Sequence, residues 1–357
     1  MSQLKAVKKP EKDHLNQTKK IFVAGVGAVG STLLRQISDI SKKHDVRVIG
    51  VCNRRHVSWN DHSQEPLTLS GLNRGPEKSW DEIVKKLTSY EKGTVIFVDA
   101  TGSEEVVPLY IELLKNQVHV VTPSKLANTQ SQDKFDSLHH TARENSSRFL
   151  YETNVGAGLP IVNTIRNLVQ TGDRILRISG VLSGTMTYLF SELDKGASFS
   201  ETVIKARRLG YAEPDPRDDL SGEDVARKFL ILARLTGLRL ERDDLAVQTL
   251  IPKPLQDVDS TTFLNDLHKF DHEWSRRITD ADQNGKTLRY VGSLSEGSIE
   301  VGIEEVSKSS ALGQLSGTNN LVEIQTERYY DQPLVILGPG AGKGVTAAGL
   351  LSDILSI

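Results

Sequence analysis

The sequence predicts an α/β protein: a doubly wound parallel sheet, interrupted by an inserted α+β block. Three observations carry this. From residue 20 to 156, short β-branched runs alternate with segments of helical spacing, the pattern of a parallel sheet with helices on both faces. After Gly158 the alternation stops, and helices in series are followed by strands in series. The chain then ends on a glycine-rich turn running into a helix at 340–357, which is expected to pack back on the first unit and make it discontinuous. A length of 357 residues accommodates two domains of ordinary size. The expected division is a flexible polar tail at 1–19, a first unit of 20–155 with 336–357, and a second of 156–335.

Taken in order, residues 20–24 read as a strand entering a glycine turn, and 31–43 as the helix after it. Residues 46–52 and 94–99 are buried-type strands; between them, 80–87 is helical with Ser79 as N-cap. A helix at 107–117, a strand at 118–124, a helix at 131–146 and a strand at 149–156 complete the first unit. In the second, 160–173 is a helix with proline in its first turn, and 174–183 a strand. Helices at 185–196, 200–210 and 223–237 follow, then strands at 287–295, 298–306, 319–329 and 333–338.

Composition narrows the function. Forty-four basic against 46 acidic residues leave a net charge of −2, which gives no reason to expect nucleic acid or an anionic membrane surface as partner. No run approaches the roughly 18 apolar residues of a membrane span. The first twenty residues lack the apolar core of a signal peptide, so a cytoplasmic chain is expected. Cys52 is the sole cysteine, which rules out an internal disulfide.

Gly25, Gly27 and Gly30 form G-x-G-x-x-G between a strand and a helix. In that context the first glycine allows a tight turn, the second admits a pyrophosphate and the third lets helix and strand pack closely. Backbone amides from Ala28 and Val29 onward would face the phosphates. This makes the first unit a Rossmann-type nucleotide-binding domain. An NAD-preferring site places a carboxylate at the end of the second strand. Here that strand ends Cys52-Asn53-Arg54-Arg55, where two guanidiniums suit the extra phosphate of NADP; the plain alternative is a solvated loop pair. Cys52 would lie near the adenosine end, far from any reacting carbon, and reads as a buried strand residue rather than a nucleophile.

The most informative stretch is 209–228, where a loop with two prolines and four acids runs into a helix. Asp224 and Lys228 are four residues apart and share one helix face. Spacing alone leaves two readings level: a surface ion pair, or a pocket for an amino-acid substrate.

The stretch resembles the signature of homoserine dehydrogenases, and the likeness runs through nearly the whole chain from Lys20. It is supported by GVGAVGS at 25–31, TPSK at 122–125, YETNVGAGLPI at 151–161, SGTMTYLF at 183–190 and GPGAGKGVTAAG at 338–349. The chain is especially similar to the dehydrogenase half of bifunctional aspartokinase–homoserine dehydrogenases. The resemblance implies an NADP(H)-linked reduction of aspartate 4-semialdehyde to L-homoserine in a homodimer joined through the second unit. It implies that Lys228 donates and accepts the proton and that Lys125 lies at the junction of nicotinamide and substrate. Glu213, Asp219 and Asp224 would hold the substrate; Thr101 and Gly342 would touch the cofactor. Glu152, with the carbonyls of Val155, Ala157 and Leu159, would match the family's sodium site, although Glu152 capping backbone amides accounts for it equally well. Two departures stand out: Lys343-Gly344 replaces the common Asn-Asp, and Ser310-Ala311 the common His-Pro. Without kinase or regulatory segments in view, little inhibition by threonine is expected. The competing readings are an oxidoreductase for another amino-acid aldehyde and a non-catalytic NADP-binding protein; intact Lys125, Glu213, Asp219, Asp224 and Lys228 argue against the latter.

Overall fold

The computed structural model describes residues 18–41, 43–60 and 69–357. Most of the expected tail, residues 1–17, lies outside the described residues; Lys19 already opens the first strand.

The first unit runs β1 (Lys19–Ala24), α1 (Ala28–Ile40), β2 (Val46–Cys52), β3 (Val57–Trp59), α2 (Trp80–Thr88), β4 (Val95–Asp99), α3 (Leu109–Lys115), β5 (His119–Val121), α4 (Gln132–Glu144) and β6 (Phe149–Leu150). The second runs α5 (Ile161–Gln170), β7 (Ile175–Val181), α6 (Gly184–Leu193), α7 (Phe199–Leu209), α8 (Arg217–Leu220), α9 (Glu223–Leu235), β8 (Ala246–Val247), α10 (Ser260–Asp266), α11 (Asp271–Gln283), β9 (Lys286–Ser295), β10 (Ser298–Ser307), β11 (Asn319–Thr326) and β12 (Leu334–Pro339). Helix α12 (Lys343–Ser356) returns to the first unit and packs on α1.

The first sheet has the order β3-β2-β1-β4-β5-β6, parallel except for the short β3, which pairs antiparallel with β2. Its strands are apolar on both faces because both are covered. Ile21 and Val23 of β1 pack with Leu33 of α1 and Leu350 of α12, while Phe22 packs on the opposite face with Phe97 and Tyr110. The strand order reverses between β1 and β4, and at such a switch point an open α/β sheet leaves a crevice beyond the carboxyl ends of its strands.

The second sheet has the order β12-β11-β7-β9-β10-β8, antiparallel apart from the β8–β10 pair. Tyr290, Leu294, Val322 and Ile324 point to one face, where Phe190 of α6, Phe229 of α9 and Trp274 of α11 close the core. Helix α9 therefore has a sheet behind it and the first unit in front.

Three sequence expectations change. The strand expected at 149–156 is only Phe149–Leu150, followed by a 3-10 turn at Glu152–Asn154 where the chain leaves the first sheet. Residues 334–339 form β12, hydrogen-bonded to β11, so the second sheet extends past residue 335 to Pro339. Helices α10 and α11 were not foreseen; α11 buries only Trp274 and Ala281, too thin an apolar stripe to show as a period.

The crossing between units is held by two buried acids. Both oxygens of Glu152 accept from the N-terminal amides of α5, Val162 N and Asn163 N, each at 2.8 Å. Asp353 of α12 accepts from the backbone N–H of Glu152 at 2.9 Å. Burial pushes the Glu152 carboxyl up to about 7 and that of Asp353 up to about 6, with each amide bond opposing the shift. The folded protein therefore retains protons that the unfolded chain, with ordinary values of 4.5 and 3.8, releases. Stability contributed by these groups is present at acid pH and is lost as pH rises through about 4 to 7. We predict that unfolding free energy falls by several kcal/mol across that interval, since the two shifts add. Denaturant titrations of wild type and Asp353→Asn check this, the variant showing the shallower fall.

Candidate active site

The glycine turn after β1 meets the end of β4 at the crevice. Gly25 has φ +92°, and a Cβ there would lie 2.6 Å from the carbonyl oxygen of Ala100; at Gly30 it would lie 1.9 Å from the carbonyl oxygen of Gly25. At Gly27, by contrast, a Cβ would meet nothing within 4 Å. Two glycines thus serve packing and the middle one leaves open space for a ligand. Helix α1 begins at Ala28-Val29 with no side-chain cap on its first amides, so these remain available to an anion. Thr101 sits beside this turn, its N–H and Oγ1 donating to the buried Asp99 carboxylate at 2.8 and 2.6 Å. Asp99 also accepts from Tyr110 Oη at 2.5 Å, which fixes the loop from beneath.

Arg54 and Arg55 are exposed just past β2. Asn53 turns the chain there, its Oδ1 accepting from the backbone N–H groups of Arg55 and His56. Cys52 is fully buried and its thiol is pushed up to about 12 by that burial, which removes it as a nucleophile. Gly342, at φ +123°, begins α12 at the far side of the crevice.

Across the cleft stands α9. Asp224 Oδ2 lies 2.7 Å from Lys228 Nζ, and its Oδ1 lies 3.1 Å from Lys125 Nζ, which arrives from the loop after β5. One carboxylate is therefore shared between a lysine of its own helix and a lysine of the other unit. Lys228 Nζ also donates to the carbonyl of Leu182 at 2.7 Å. Of the three N–H bonds of an ammonium, two are engaged and one remains. Burial lowers the pKa of Lys228; Asp224 opposes this and Lys125 adds to it. For Asp224, burial disfavours charge, but Lys228 and Lys125 outweigh it and hold the carboxyl far below its ordinary range. Spacing gave the pair within one helix; the structure adds to it a second lysine from the other unit.

The acidic loop folds over the same cleft. Asp219 accepts from Thr185 Oγ1 at 2.9 Å and from the backbone N–H of Glu213 at 2.8 Å, bracing the turn that presents the exposed Glu213. Burial raises the Asp219 pKa, against both hydrogen bonds. Asp215, by contrast, pairs with Arg217 and faces away from the two lysines' partner set.

Three contributors escaped sequence reading. The Leu182 carbonyl carries no side-chain signal. Thr185 lies inside the SGTMTYLF motif, but nothing local marks it as the support of Asp219. Arg234 is the most consequential. Its fully buried guanidinium donates to Asn128 O at 2.9 Å and Gln130 O at 2.8 Å, and to Leu240 O at 2.8 Å. It ties α9 to the loop carrying Lys125. An arginine inside the apolar run Phe229–Leu235 was the available clue.

At the suggested cation position, Glu152 caps α5 as described above, and the Leu159 carbonyl accepts from Ile161 N at 2.8 Å. Val155 and Ala157 are buried, and Ala157 has φ +53°. Among the described residues, no group of three or more His, Cys, Asp or Glu side chains is arranged to hold a metal ion.

Comparison with known proteins agrees with this geometry. Residues 25–152 match the family described as the NAD-binding domain of homoserine dehydrogenase, and residues 160–355 match homoserine dehydrogenase itself. A homoserine dehydrogenase of Schizosaccharomyces pombe is 35% identical over 94% of this chain and 94% of its own length. A chloroplastic bifunctional aspartokinase/homoserine dehydrogenase of Arabidopsis thaliana is 40% identical over 95% of this chain, which spans 39% of that longer protein. A Candida auris crystal structure of unknown function is 32% identical, with a TM-score of 0.88 over 95% of this chain and 97% of that one. A hyperthermophilic archaeal homoserine dehydrogenase in complex with NADPH shares the fold at 24% identity and a TM-score of 0.72, covering 95% and 97% of the two chains. The chain belongs to the homoserine dehydrogenase family of nicotinamide-dependent oxidoreductases acting on a CH–OH group.

Proposed function

We propose that this chain interconverts L-aspartate 4-semialdehyde and L-homoserine with NADP(H), in the route to threonine, methionine and isoleucine. The observation that carries the proposal is the Lys125–Asp224–Lys228 array facing an open glycine turn across the cleft. Gly25, Gly27, Ala28, Val29 and Gly30 would hold the pyrophosphate of the dinucleotide, with Thr101, Lys125 and Gly342 also touching the cofactor, whose nicotinamide would supply or accept the hydride.

The chain's own residues do the rest. In the reducing direction negative charge grows on the aldehyde oxygen, and a cation able to release a proton stabilises it most. The third N–H of Lys228 serves that need, and burial eases the release of its proton. In the reverse direction neutral Lys228 takes the hydroxyl proton. Lys125 adds positive charge at the reacting oxygen. Glu213 and Asp219, with Asp224, receive the substrate's ammonium group.

Arg54 is assigned to the 2′-phosphate of NADP, supported by the absence of a carboxylate at the end of β2. A monovalent cation at Glu152, Val155, Ala157 and Leu159 would neutralise the two buried acids between the units, and the burial of both carboxyls supports it. The homodimer is assigned to the second sheet: its edge strand β12 displays Val335 and Leu337, 50% and 57% exposed, more apolar surface than an edge strand normally leaves open. Among the described residues no helix is long and apolar enough to cross a membrane.

The function is tested by following NADP reduction with L-homoserine. Wild type is expected to turn over, and Lys228→Met to lose about 10³-fold or more in kcat while still binding NADPH. Absence of wild-type activity with either homoserine or the semialdehyde overturns the substrate assignment. Arg54→Ala is expected to weaken NADP about tenfold and leave NAD unchanged, read as the ratio of their KM values.

A further inference from the structure

We propose that the cavity between α4, α5 and α9, away from the catalytic cleft, binds a small oxyanion, carboxylate or phosphate, between Arg143 and Arg166.

The cavity measures about 400 Å³, enough for a small organic anion, and its walls come from both units. Four arginines line it, Arg143, Arg166, Arg234 and Arg239, against a single carboxylate, Asp136. Two of the four are already matched. Arg239 pairs with Asp136 and Asp133, and Arg234 is held by Glu241 and three backbone carbonyls. Neither of the other two forms an ion pair among the described residues, although Arg166 lies close enough to Glu152 and Asp353 to act on both carboxyls. Arg166 Nη1 donates to Asn163 Oδ1 at 2.6 Å, and its guanidinium lies 5.3 Å from the Tyr151 ring centre. Arg143 is exposed on α4, with no side-chain hydrogen bond or ion pair among the described residues. Both guanidiniums act on His139 in the cavity wall; burial first, then these two charges, push its pKa down to about 3, so this imidazole is neutral. It therefore adds no competing cation.

Two guanidiniums without an ion pair, both lining one partly enclosed space, suit an oxyanion, since planar forks match carboxylate and phosphate oxygens. Arg143 stands on the nucleotide unit and Arg166 on the substrate unit, so an anion held by both ties the units together at the C-terminal end of α9. Arg166 also opposes the raised pKa values of Glu152 and Asp353, which places the seat in electrostatic contact with the crossing between units.

The test is calorimetric titration of the full chain with inorganic phosphate and, separately, malonate, at ionic strength held constant with chloride. Saturable binding at millimolar level or tighter is expected for at least one probe, and the better probe identifies the ligand's chemistry. Arg143→Ala, exposed and unpaired, keeps the wild-type melting temperature and weakens binding about tenfold or more; Arg166→Gln weakens binding to a similar degree. No saturable binding of either probe at tens of millimolar overturns the proposal. So does binding unchanged in Arg143→Ala, or binding lost in Arg54→Ala and kept in Arg143→Ala, which would put the anion in the dinucleotide cleft.

Discussion

Two lysine ammonium groups crowd the same cleft, and what lets them coexist is the Asp224 carboxylate between them. Like charges in a partly desolvated space repel, and Lys125 adds to the lowering of the Lys228 pKa. With an anion in contact with both, each keeps its position and Lys228 keeps enough proton affinity to act in both directions. Lys125 comes from the loop after β5 and Lys228 from α9, so this shared carboxylate is also the point where two separately folded layers must register. Arg234 supplies the register. Its fork reaches from the end of α9 to the backbone of residues 128 and 130, a few positions beyond Lys125. A small rotation of α9 would separate the charges, and buried hydrogen bonds to carbonyls resist it.

The cofactor side relies on a different constraint, the absence of side chains. Gly25 and Gly30 are required by backbone contacts too short for any Cβ, while Gly27 leaves room that the protein itself does not fill. Space at Gly27, uncapped amides on α1 and a carboxylate-free end to β2 are properties of one turn and one strand end. For that reason the nucleotide unit was legible in the sequence. Its strands are buried on both faces and read as unbroken apolar runs, and the glycine spacing carries its geometry with it.

The second unit was legible only where helices or strands bury a full face. Strand β10 alternates, burying Ile299 and Val301 beside exposed Ser298 and Glu300; α11 buries two side chains and left no period to read. The fate of Glu152 depended on α12, which approaches from the other end of the chain with Asp353. No local pattern announces that contact. The pairing of Asp224 with Lys228 followed from spacing, but the participation of Lys125, about a hundred residues away, entered only through family resemblance and was then met in the geometry. Arg234 was visible as an arginine in an apolar run, but its partners are backbone atoms and leave no trace in residue types.

The most direct test of the shared carboxylate is the pH profile of kcat/KM for homoserine oxidation, wild type against Asp224→Asn. The acidic limb reports protonation of the catalytic base. Because Asp224 raises the pKa of Lys228 against burial and Lys125, its neutralisation is expected to move that limb to lower pH, with the rate reduced throughout. A limb at the wild-type position would contradict the account, since Lys228 would then titrate without regard to Asp224.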